Sequence, residues 1–141
     1  GGFTYIVAAR WLVTQLGQAK MVQIGGVSIA LALLLLAPEW HWAMAGISSV
    51  LVGLGFYMLH NTLQTHATQM APEVRGSAVS LFASAFFMGQ SAGVAFGSQV
   101  LDLIGAGSLF SANAVAVLLL TGLFARALRQ KVAEQTGNPK T

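Results

Sequence analysis

The sequence predicts an all-α polytopic membrane bundle, four full spans preceded by a partial one, and three observations predict it. Charged residues make up 8% of the 141-residue chain and hydrophobic ones 55%, whereas a soluble domain carries about 25% charged residues. Apolar runs close to the roughly 20 residues that cross a bilayer core as a helix recur at 21–37, 43–66, 77–101 and 108–125. All seven Lys and Arg fall outside these runs. Any one run is compatible with a buried core helix of a soluble protein. Four together leave almost no polar residues to cover them, and the mean hydropathy of +0.70 agrees.

Residues 1–9 are apolar but too short to span alone, and read as the last turns of a helix. No basic residues precede them, so they are not a signal peptide. RWLVTQLGQAK (10–20) is a polar loop with Gly17 at a turn. The first full span, 21–37, is almost featureless apolar, as a lipid-facing helix should be, and Gly25 and Gly26 let a neighbouring helix approach closely. Pro38 ends it, and Trp40 and Trp42 suit the headgroup level. The span at 43–66 is apolar in its first half and polar in its second. PEVRG (72–76) then breaks the pattern before the span at 77–101, which carries Gly89, Gly93 and Gly97 at four-residue spacing, a small-residue face suited to helix packing. Asp102 to Gly107 forms a short turn, and 108–125 spans again. Within it Asn113 is a lone polar residue expected to bond to another helix. Residues 126–141 form a polar tail that begins as a helical extension, beside a transmembrane domain at 1–125.

If each span crosses once, Arg10, Lys20, Arg75, Arg126, Arg129, Lys131 and Lys140 all fall on one side. The positive-inside rule makes that side cytoplasmic, with the loops at 10–20 and 67–76 and the C-terminus there. These cations sit at segment ends and form no face interleaved with aromatics, so the net charge of +3 does not indicate nucleic acid. The chain has no cysteine, which excludes disulfides and thiolate metal sites. His60 and His66 do not share a helical face and have no acid nearby in sequence, so no metal site is expected. No cofactor is expected either.

The informative polar residues are Phe56, Tyr57, His60, Asn61 and Gln64, which recur at three- and four-residue spacing and share one face. Polar groups at membrane depth are costly unless they face protein or a water-filled cavity, which makes this stripe the candidate lining of a pathway. His60 lies about 26 Å into its span at 1.5 Å per residue, in the cytoplasmic third, where bonding to a neighbouring helix is the competing role. Phe87 and Gln90 are cavity candidates on the next span, against simple packing around the glycines. Phe86 and Phe87 read more readily as lipid or core contacts than as substrate platforms. Pro72 and Glu73 read as the opening of a helix, with an acid in the first turn. An exposed Glu73–Arg75 pair contributes under about 1 kcal/mol.

Three stretches resemble the C-terminal part of a major facilitator superfamily transporter, a twelve-helix secondary carrier. PEVRG is similar to the family's cytoplasmic loop between helices ten and eleven, and GQSAGVAFG to helix eleven. RWLVTQLGQAK is similar to a worn copy of the signature loop between helices eight and nine. In that copy Gly17 matches the second glycine and Lys20 the trailing basic charge. Arg10, Thr14 and Gln15 stand where glycine, an acid and arginine are usual. The resemblance implies the end of helix eight followed by helices nine to twelve. It implies cavity-facing roles for the spans at 43–66 and 77–101, and a cytoplasmic gate involving Glu73, Arg75, Arg10 and Lys20.

The expected function is transport of a small molecule by a secondary, proton-coupled carrier in a bacterial inner membrane. Efflux is favoured because the polar residues carry no fixed charge. Partners are then the lipid bilayer, the substrate, and a missing N-terminal half. The layout reads as a piece of a longer carrier that does not transport alone. No acid lies mid-membrane, so a coupling carboxylate is expected in the absent half. The alternative is a self-contained four-helix protein, either a small exporter or an assembly subunit. An enzyme is not expected, since no His–acid pair stands at catalytic spacing.

Overall fold

The computed structural model describes the backbone of residues 2–38 and 42–137, and side chains from Gly17 onward except 39–41, 133–136 and 138–141. Arg10's side chain, Glu39, Trp40, His41 and Lys140 therefore lie outside the described residues. Four α-helices follow one another: α1 (Gly2–Leu36), α2 (Ala43–Met70), α3 (Arg75–Ile104) and α4 (Ala106–Thr136), with one 3₁₀ turn at Pro72–Val74. Stretches long and apolar enough to cross a membrane run over Gly17–Leu36, Ala43–Met70, Pro72–Ile104 and Ala106–Val132. Each contains one of the expected spans or all but its last residue, and extends beyond it at one end or both.

The extensions follow from propensity. The 10–20 stretch, expected as a loop, is helical and broken only at Gly17 (φ 69, ψ 165). It contains no proline and is rich in Leu, Gln and Ala, which favour helix, so the helix persists until a residue without Cβ allows a turn. The α3–α4 turn is likewise a single residue, Gly105 (φ 77, ψ 163). Both conformations lie in a region open essentially to glycine alone. The tail is also more ordered than expected, since α4 runs unbroken to Thr136.

The core is built from α1, which packs along both α2 and α4. Contact is closest where side chains vanish. A Cβ added to Gly55 of α2 would collide with the Gly25 carbonyl oxygen and lie 2.7 Å from Ile29 Cγ1. One added to Gly26 would strike Thr121 of α4. Near the other end, a Cβ on Gly107 would lie 2.6 Å from the Ala37 carbonyl oxygen. Around these approaches Met21, Val22, Ala30, Ala32, Met58, Ala114, Ala125 and Leu128 are buried. Two buried hydroxyls bond to their own helix, Thr62 donating to the Met58 carbonyl (2.7 Å) and Thr121 to that of Val117 (2.7 Å), whereas Ser48 Oγ is buried without a partner. Such bonds satisfy polar groups where lipid offers no partner. Asn113 does the same, donating to the Leu109 carbonyl at 2.8 Å and not to another helix as expected.

α3 stands apart. It buries no residue, and Gly89, Gly93 and Gly97 have nothing within 4 Å of an added Cβ. Among the described residues these glycines pack against no helix, and the close-packing role falls to Gly25, Gly26 and Gly55. The accessible surface is 9600 Å², against about 6,900 Å² expected for a closed globule of this mass. The excess is largely apolar: Leu81, Met88, Val94, Phe96, Leu119 and Leu123 are all more than 60% exposed. Such a surface suits lipid or further helices.

Candidate functional site

α3 meets α2 through an aromatic cluster built on the polar stripe. Phe56 and His60, one turn apart on α2, stack at 5.4 Å between ring centroids. Phe82 and Phe86, one turn apart on α3, lie 5.4 and 5.0 Å from the His60 ring, the latter edge-on. Phe86 also contacts Phe56 at 5.9 Å and Phe87 at 5.6 Å. Tyr57 stands edge-on to Phe56 at 5.7 Å. The (i, i+4) spacing on each helix turns the two pairs toward each other.

Two polar groups in this region lack partners. His60 Nδ1 is buried with no hydrogen bond, an arrangement that costs about 1–3 kcal/mol when nothing compensates it. Gln90 is exposed near the centre of the Pro72–Ile104 stretch and makes no hydrogen bond among the described residues. Beside them a groove of about 500 Å³ is lined by Phe56, Ala85, Phe86, Gly89 and Gln90. Because α2 continues to Met70, His60 is about 5 Å from the helix midpoint at 1.5 Å per residue.

The structure thus brings together Phe56, Tyr57, His60, Phe87 and Gln90, with Gln90 and Gly89 on the groove wall. Asn61 and Gln64 are half-buried and line neither this groove nor the second cavity below. Phe82 escaped the sequence reading and Phe86 was assigned there to packing. Their signal is the 82, 86, 90 spacing, which places two rings and an amide on one face of α3.

Glu73 and Arg75 are exposed and form no ion pair with each other. No side-chain cap closes the start of α3, and Pro72 and Glu73 open the 3₁₀ turn that precedes it, with the acid in its first turn as expected. Lys20 lies at a second cavity of about 660 Å³, where α1, α2 and α4 converge beside Gly17, with Arg129 and Lys131. His66 faces that side as well, edge-on to Phe124 of α4 at 6.0 Å. The two histidines therefore serve different helix contacts, as their spacing predicts. Lys20 of α1, the C-terminal end of α2 and Arg129 and Lys131 of α4 lie together, and the approach of Gly107 to Ala37 marks the opposite end.

No curated protein and no solved structure matches the chain at a significant level. The family profile of the Major Facilitator Superfamily matches residues 1–141, in agreement with four membrane-length helices and no strand among the described residues. The match spans the whole chain, and the protein is therefore an integral membrane protein belonging to the Major Facilitator Superfamily of transporters.

Proposed function

We propose that the protein carries a small molecule without fixed charge along the α2–α3 face, with Phe56, Phe86 and Gln90 on the wall and His60 behind them. The observation that carries this reading is the pair of unpartnered polar groups, His60 Nδ1 and Gln90, near the middles of their membrane-length helices beside an aromatic groove. Polar groups at that depth face protein or water-filled cavities. Aromatic rings supply apolar and stacking contact to a planar substrate, while the amide and imidazole offer hydrogen bonds that fix its orientation. Tyr57 and Phe87 flank the wall, and Asn61 and Gln64 continue the stripe toward the basic end.

A second helical half completes the pathway. The support is α3, which buries none of its residues and leaves Gly89, Gly93 and Gly97 open to close approach. Carriers of this type move substrate past a site near the midplane by rocking one half against the other. The basic end faces the cytoplasm of a bacterial inner membrane by the positive-inside rule. Glu73 and Arg75, unpaired there, close with Arg10 and Lys20 against charges of the other half. Transport is proton-coupled through a carboxylate in that half, in the direction of efflux.

Phe86→Ala tests the lining directly. In the full-length protein it should lower transport of an aromatic substrate about tenfold, since base-sized aromatic stacking contributes on the order of 1–3 kcal/mol. Leu34→Ala, on the exposed face of α1, should leave the rate near wild type. Equal rates for both variants at equal membrane abundance would remove the α2–α3 face from the pathway.

A further inference from the structure

The cavity at the basic end points to a ligand of its own. Among the described residues three cations line it, Lys20 from α1 and Arg129 and Lys131 from α4, and no carboxylate does. His66 and two amides complete its polar wall: Gln18 Nε2 donates to Gln69 Oε1 at 3.0 Å, which leaves the Gln69 amide donors for a ligand. Arg129 is held across the bundle by donating from Nη2 to Gln23 Oε1, and its remaining N–H groups stay available. Three like charges converging on one cavity repel each other, and an anion relieves that repulsion.

The position of the cavity identifies the anion's source. Lys20 directly precedes the apolar run 21–37, Arg129 and Lys131 follow the run 108–125, and Met70 closes α2, and all four line the cavity. It therefore sits at the membrane boundary, where headgroup phosphates lie. Its remaining wall includes Leu128 and Met70, the latter 63% exposed, which suits the glycerol and upper acyl carbons of a lipid and not a fully hydrated ion.

We infer that this cavity binds the phosphate of an anionic phospholipid, with Lys20, Arg129 and Lys131 as its charge ligands and Gln69 as a neutral donor. Basic pockets between membrane helices are suited to such headgroups, each cation near the surface contributing about a factor of five in affinity. The site lies further along α2 than the aromatic groove, shares no lining residue with it, and is independent of the transported substrate.

The test uses the full-length protein in neutral detergent, titrated with short-chain phosphatidylglycerol, phosphatidylcholine or inorganic phosphate and read by native mass spectrometry. Phosphatidylglycerol should bind at least tenfold more tightly than phosphatidylcholine. The combined Lys20→Gln, Arg129→Gln, Lys131→Gln variant should weaken it on the order of a hundredfold. Arg126→Gln removes a charge from the same end without touching the cavity, and should leave binding unchanged. If the combined variant does not fold, Lys131→Gln alone keeps the Arg129–Gln23 bond and should weaken binding about fivefold. Undiminished binding in the cavity variants overturns the site, and so does an equal loss in Arg126→Gln. Inorganic phosphate binding as tightly as the lipid would reassign the cavity to a soluble anion.

Discussion

Gly55→Leu is expected to cost the bundle several degrees of thermal stability and most of its folded yield in the membrane. At Gly55 the obstacle to a side chain is the Gly25 backbone carbonyl, together with Ile29. A backbone atom cannot rotate away as a flexible side chain does, so α1 and α2 must separate. Overpacking a well-filled interior costs about 1–3 kcal/mol, and separation here also opens contacts of the buried Met58. Without a hydrophobic driving force between helices in lipid, close packing of small residues is a main source of association. Gly46→Leu makes the same change in volume on the same helix where nothing lies within 4 Å, and should leave the melting temperature within a degree or two. Equal losses for the two variants, measured by fluorescence-detected gel filtration after heating, would show that helix propensity and not the Gly25–Gly55 approach sets stability.

His60→Leu is expected to move stability and transport in opposite directions. The leucine fills the space among Phe56, Phe82 and Phe86 and removes a buried nitrogen that has no partner. Removing an unsatisfied buried polar group recovers about 1–3 kcal/mol, whereas losing one hydrogen bond to a substrate costs about 0.5–1.5 kcal/mol, or roughly three- to tenfold in rate. The variant should therefore melt higher and transport more slowly. A histidine retained for packing alone predicts higher stability with unchanged transport, so the transport rate separates the two roles.

These expectations show where the sequence was legible. The four spans were readable because length and composition alone decide whether a helix crosses a bilayer. The gathering of Lys20, Arg129 and Lys131 at one end follows from alternating span direction. Gln23 and Arg129, 106 positions apart, meet only because α1 packs on α4, and no local pattern encodes that pairing. Gly25 and Gly26, expected to admit a close neighbour, do so. The regular Gly89, Gly93, Gly97 stripe faces open space, whereas Gly55, with no small-residue partner at four-residue spacing on its own helix, makes the tightest approach to a neighbouring backbone. Spacing states that a helix can be approached and leaves open what approaches it. Gly17 shows the complementary limit: a polar, charged stretch reads as a loop, yet good helix formers hold it helical on both sides of a single break. Phe86 was ambiguous because a phenylalanine in a span serves lipid, core or substrate equally well. Only the positions of Phe56 and His60 across the helix interface separate these.

The chain contains no cysteine, which makes one measurement especially direct. A single thiol introduced by Gln90→Cys into a cysteine-free full-length protein is treated with a water-soluble maleimide, with and without transported substrate, beside Leu34→Cys as the lipid-facing control. A water-filled pathway along α3 predicts that the Gln90→Cys protein is labelled, that substrate slows the labelling several-fold, and that the Leu34→Cys protein stays unlabelled. Gln90→Cys protein as inert as the control, or labelled at a rate indifferent to substrate, would contradict the placement of the pathway on the α2–α3 face.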